Sequence, residues 1–98
     1  MDTTTLRTFI ALAQTKNLTK TAQQLFVAQS TVTNRIRDLE TELGVPLLIR
    51  SHKQVDLTPS GQKFLDYAQR FVSLELAALQ DIQSSPTYAQ KVNIGTTN

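Results

Sequence analysis

The run Gln29-Ser30-Thr31-Val32-Thr33-Asn34-Arg35-Ile36-Arg37 places amide, hydroxyl and guanidinium groups along one short segment, with no carboxylate among them. These groups are suited to hydrogen bonding, not to breaking bonds. An amide can pair bidentately with adenine, a hydroxyl with several base edges or with phosphate, and a guanidinium with guanine or phosphate. Wound as a helix at roughly 100° per residue, the segment and its continuation place Val32, Ile36, Leu39 and Leu43 in one narrow arc. Ser30 and Asn34 lie opposite that arc, with Thr33 and Arg37 on one flank and Thr31 and Asp38 on the other. The apolar arc packs inward, and the amide and hydroxyl face looks out.

Little else in the chain offers chemistry. His52 is the only histidine, and there is no cysteine to make a thiolate site or a disulfide. A zinc site needs three or four ligands, so no metal is expected. Asp66, Glu75 and Asp81 are dispersed and form no acid/base pair, and no glycine-rich phosphate loop is present. Neither catalysis nor a cofactor is therefore expected. The 98 residues suffice for one small domain, and 40% hydrophobic content allows a packed core. No apolar run reaches the ~18 residues of a membrane span, and the first residues are not those of a secretory signal, so a cytoplasmic protein is expected. Net charge is only +2, but Lys16, Lys20, Arg35 and Arg37 fall in a stretch without any acid, a local basic footprint.

The elements that must position the outward face follow from periodicity and caps. Leu6, Phe9, Ile10 and Ala13 predict a helix over 3–15, capped by Asp2 or Thr3. A second helix is predicted over 18–25 with Asn17 as its cap, and a third over 29–43, stopped by Gly44 and then by Val45-Pro46. In that third helix Arg35 and Arg37 precede Asp38, Glu40 and Glu42, an order opposed to the helix dipole. Phosphate near the first half would explain the arginines. The acids behind them either stay solvated or pair locally, as Arg37 with Glu40. Residues 47–50 and 54–57 read as two extended segments around a polar tip, a small wing carrying Arg50 and Lys53. Thr58 and Pro59 open a last helix that runs to about Gln83, roughly 38 Å long at 1.5 Å per residue. Leu65, Val72 and Leu79 recur every seven residues in it, with Ala68, Phe71 and Leu76 between them, as in a seam between paired helices. A domain this small cannot cover the whole rod, so a second copy is expected on it. Residues 91–95 read as a short strand opening another domain.

The spacing Ala22-x-x-Leu25-x-Val27-x-Gln29-Ser30-Thr31-Val32-Thr33, followed by Ile36-x-x-Leu39-Glu40-x-x-Leu43-Gly44-x-x-Leu47, closely resembles that of the LysR-type transcriptional regulators. The wing run Leu47-Leu48-Ile49-Arg50 and the later Val55-Asp56-Leu57-Thr58-Pro59-Ser60-Gly61 strengthen the resemblance, which covers residues 4–65 closely and the rest more loosely. It implies a mainly α, winged helix-turn-helix fold, three helices plus a small two-stranded wing, followed by a long linker helix that pairs antiparallel in a homodimer. It implies double-stranded DNA as partner, with a dyad-symmetric site. A small-molecule effector would belong to a further domain of roughly two hundred residues, a second unit of ordinary size. Family contacts carry over to Gln29, Ser30, Thr33 and Asn34 on the helix and to Arg50 and Lys53 in the wing. Ala28 stands where the family usually has a capping Ser, Ser30 where Pro is frequent, Asn34 where Arg or Lys is frequent, and Leu48 where Phe is frequent.

Three segments are expected: a DNA-binding domain over 1–58, a linker and dimerisation helix over 59–85, and over 86–98 a hinge with the start of an effector-binding domain. The DNA-binding set comprises Gln29, Ser30, Thr31, Thr33, Asn34, Arg35, Arg37, Arg50 and Lys53. The dimerisation set comprises Leu65, Ala68, Phe71, Val72, Leu76 and Leu79. The alternative is a winged-helix interaction module that assembles complexes without reading DNA.

Overall fold

The computed structural model of the chain describes residues 1–51 and 54–84. His52, Lys53 and the strand-like run over 91–95 lie outside the described residues. The order is α1 (Thr3–Thr15), α2 (Leu18–Leu25), α3 (Gln29–Leu43), β1 (Leu48–Arg50), β2 (Val55–Leu57) and α4 (Pro59–Gln83). The two strands pair antiparallel, with Leu48 opposite Leu57, Ile49 opposite Asp56 and Arg50 opposite Val55.

Local chemistry sets the helix boundaries. Asp2 accepts the Thr5 amide, Asn17 the Lys20 amide and Thr58 the Gly61 amide, so three of the four helices begin on a side-chain cap. Gly44 ends α3 at φ 76°, donating its amide to the Glu40 carbonyl. α1 and α2 end instead on Lys16 (φ 55°) and Phe26 (φ 59°), both left-handed without being glycine. Neither residue carries a sequence signal for such a turn.

Leu6, Phe9 and Leu12 of α1 meet Ala22 of α2 and Val32, Ile36 and Leu39 of α3, with Leu47, Val55 and Ala68 closing the core. Phe9 and Phe64 pack ring to ring at 5.7 Å, tying α1 to α4. Between α1 and α2 a hydroxyl pair, Thr15 with Thr21 at 2.6 Å, sits on the Asn17 carbonyl, so the buried Thr21 is satisfied. The N-terminus of α4 passes so close to the chain before β1 that a Cβ on Gly61 would collide with the Leu47 carbonyl oxygen.

Ala68 corrects the expected partner-facing set. It is completely buried in its own protomer and has no surface to give a second copy. Leu65 and Val72 are half-buried against the same core. Leu76 and Leu79 continue that side of α4 beyond the core, where they are exposed. A neighbouring stripe that adds Tyr67, Leu74 and Ile82 to the expected Phe71 is 52% to 69% exposed. Its spacing of three, four and eight residues keeps these side chains on one face.

Candidate nucleic-acid interface

Val32, Ile36 and Leu39 turn α3 inward, and the opposite side is left to solvent. Gln29, Ser30, Asn34 and Arg37 are exposed, and Thr31 and Thr33 half-exposed. The outward face is therefore amide, hydroxyl and guanidinium, bordered by the exposed Asp38 one turn after Asn34. Two of its members are held in place. Gln29 Nε2 donates to Thr19 Oγ1 of α2 at 2.8 Å, and Arg37 Nη1 donates to Asn34 Oδ1 at 3.1 Å. Gln29 keeps its carbonyl oxygen and one N–H free, the pair an adenine edge takes. The Asn34 oxygen is shared with the Arg37 guanidinium. Ala28, at the N-cap of α3, makes no side-chain cap hydrogen bond.

Arg35 behaves differently from the rest of the expected set. Its Nη1 donates to the buried Thr8 Oγ1 at 3.2 Å, which itself donates to the Thr4 carbonyl. The guanidinium thus leans along α1 and not along the Ser30–Asn34 face. The basic footprint is also reduced at Lys16, whose ammonium lies 3.3 Å from Asp56 of β2 while its carbonyl accepts the Val55 amide. Lys20 and Arg37 remain as the exposed cations beside the outward face.

Glu40 corrects the reading of the acids at the end of α3. It does not pair with Arg37. Its Oε2 accepts the amides of Leu47 and Leu48 at 2.7 and 3.2 Å, so the carboxylate anchors the entry to the wing. Glu42 lies 2.6 Å from the Met1 amine. The wing carries Arg50 exposed at the end of β1, and Ser51 and Gln54 exchange backbone hydrogen bonds beneath the tip. Lys53 is outside the described residues.

Thr19, which holds Gln29, Glu40, which holds the wing entry, and the exposed turn residue Phe26 were not singled out by sequence reasoning. Glu40 sits one turn after the core residue Ile36, and an acid so near the apolar arc was a usable signal. Thr19 precedes Gln29 by ten residues, and no periodicity connects the two. Phe26 stands in a turn where a polar residue is the ordinary choice. Among the described residues no three metal-ligating side chains come together, and no helix is long and apolar enough to cross a membrane.

Residues 3–62 match the family described as bacterial regulatory helix-turn-helix protein, lysR family. The HTH-type transcriptional regulator HdfR of Yersinia enterocolitica serotype O:8 is 35% identical over 97 residues, covering 99% of this chain and 33% of that protein. The chain thus spans about a third of the length of the curated relatives it matches. Among solved structures, the CbnR_DBD–DNA complex is similar at TM-score 0.75 and 40% identity, covering 86% of this chain and 94% of that one. The BenM_DBD/benA site 1 DNA complex is similar at TM-score 0.80 and 34% identity, covering 85% and 96%. With more than half its length matched and a winged helix-turn-helix fold, the chain belongs to the LysR family of bacterial regulatory helix-turn-helix proteins.

Proposed function

We propose that this chain is the DNA-binding part of a transcriptional regulator and reads duplex DNA in sequence-dependent fashion as a homodimer. The observation that carries this reading is the exposed face of α3, where Gln29, Ser30, Asn34 and Arg37 project together in the first two-thirds of the helix, ahead of the exposed Asp38. Solved relatives described as complexes with DNA support it. In this reading α3 lies in the major groove, with Thr31 and Thr33 at its margins. Arg50 and Lys53 hold the backbone or the minor groove from the wing. Arg35 contributes only if it releases Thr8. The chain acts by binding, without catalysis, in the cytoplasm where a bacterial chromosome is reached.

The segment boundaries 1–58, 59–85 and 86–98 belong to the same proposal. So does pairing through α4, where Leu65, Val72, Leu76, Leu79 and Phe71 are joined by Tyr67, Leu74 and Ile82. Exposed apolar side chains at this density favour a protein partner, and a second copy would give the dyad symmetry that two half-sites mirror. A small-molecule effector is assigned to another domain of the intact protein.

Selection from randomised duplex DNA at near-physiological salt tests the reading. Enrichment of a motif with two symmetric half-sites is the expected result. Folded protein that retains no DNA overturns it and favours the interaction module that the α4 stripe could serve. Retention should fall steeply with salt, because each neutralised phosphate releases counterions.

A further inference from the structure

Phe26 is the most exposed large apolar side chain among the described residues, at 93%. It stands in the turn between α2 and α3 with φ 59°. Left-handed backbone is unfavourable for an ordinary L-residue. Exposing a whole phenyl ring to water adds to that cost. Asparagine or glycine would occupy the turn without either penalty. The backbone of the turn is fixed: Phe26 donates its amide to Gln23 at 3.3 Å, and Val27 donates to Ala22 at 3.0 Å. The ring is therefore displayed by a rigid corner and does not belong to a loose loop. Unfavourable conformations that persist in this way concentrate where a side chain serves a partner.

Its surroundings indicate the partner. Phe26 and Gln29 line one open concavity with Thr19, Ala22 and Gln23. Gln29 is clamped by Thr19 with its adenine-reading atoms free. Lys20 is exposed on the same helix as Thr19, and no carboxylate occurs anywhere from residue 17 to residue 37. A polyanion suits this corner better than an acidic or neutral protein surface. In the major groove the apolar feature within reach of an adenine-reading amide is the 5-methyl group of thymine, and phenylalanine is among the side chains that contact it. Resting on the DNA-binding reading above, we propose that Phe26 is a specificity-determining residue: its ring packs on a thymine methyl beside the base pair read by Gln29. The corner thus couples hydrogen-bond reading with methyl reading and favours A·T pairs at that step.

The test starts from the duplex that the wild-type protein selects. Each thymine is replaced in turn by deoxyuridine, which removes only the methyl, and binding is measured with wild type and Phe26→Asn. Asparagine tolerates the left-handed turn, so this variant keeps its fold, and its thermal midpoint verifies that. The expected result is one or two positions per half-site where deoxyuridine weakens wild type about fourfold, the effect of losing one buried carbon group. At those positions Phe26→Asn shows no methyl dependence, while elsewhere the two proteins respond alike. Wild type that binds its duplex but responds to no deoxyuridine overturns the proposal and leaves the DNA-binding reading standing. So does a methyl response that Phe26→Asn retains in full, or a Phe26→Asn loss equal on thymine and deoxyuridine, which would place the ring on sugar or on a protein. Failure of wild type to select any duplex removes both.

Discussion

Glu40 Oε2 accepts the amide of Leu47 at 2.7 Å, joining the C-terminal half of α3 to the start of the wing through a single carboxylate. Leu48 donates to the same oxygen, so two backbone amides that β1 leaves outside its ladder are satisfied from the helix. The proposed reading helix and the entry to the wing are therefore linked by hydrogen bonds as well as by the chain.

Glu40→Ala orphans both amides in a partly buried place. Leaving such donors unpaired costs about 1–3 kcal/mol. The urea midpoint should fall accordingly, and Glu40→Gln, which keeps an acceptor, should lose less. Equal losses for the two variants would show that the carboxylate's charge matters more than its hydrogen bonds.

Gly61→Ala would normally stabilise a helix by about 1 kcal/mol. Here the new Cβ collides with the Leu47 carbonyl oxygen, a backbone atom and not the end of a flexible side chain. The expected sign is reversed, a loss of about 1–3 kcal/mol as in overpacked cores. Thermal unfolding of the variant decides it, since a raised midpoint would mean that α4 can move off the wing.

Ala28→Ser supplies the cap that α3 lacks. A gain of about 1 kcal/mol is expected, which raises the thermal midpoint by about 4–8 °C in a domain of this size. No change would indicate that the Ser30 hydroxyl or the Gln29 amide already serves those amides in solution.

Asn34→Ala removes a proposed base-reading group and the acceptor of Arg37. Its effect should be uneven across sequences, about 1–3 kcal/mol at one position of the site. Arg50→Ala and Lys53→Ala should weaken all sequences alike and reduce the salt slope by about 1 each. Selection with the variants separates the roles, and uniform losses for Asn34→Ala would place it on phosphate.

Asp2 gives the fold an acid limb. Hydrogen bonds from Thr5 hold its carboxyl below the usual value of 3.8. A group depressed in the folded state adds stability that is present above its unfolded value and lost as pH falls through the lower, folded one. Stability should therefore decline below about pH 4, and Asp2→Asn, which can still cap α1, should flatten that part of the profile. Unfolding midpoints measured between pH 2 and 6 for both proteins check the sign.

All four helices were legible in the sequence, because apolar spacing, Asn17, Thr58, Gly44 and Pro59 act within a turn or two of the chain. The outward face of α3 was legible for the same reason, since residue types and a fixed angular step determine which side chains avoid the core. What several α3 side chains pair with depends on neighbours distant in sequence, although Arg37 pairs locally with Asn34. Arg35 is drawn to Thr8 and Gln29 to Thr19, while Glu40 is taken up by Leu47 and Leu48. Such pairings depend on how α1, α2 and the wing dock, and no local pattern carries that information. Ala68 and Tyr67 make the same point on α4. Periodicity identified an apolar helix, but only the packing of α1 and the wing against it decided which apolar residues became core and which were left facing outward.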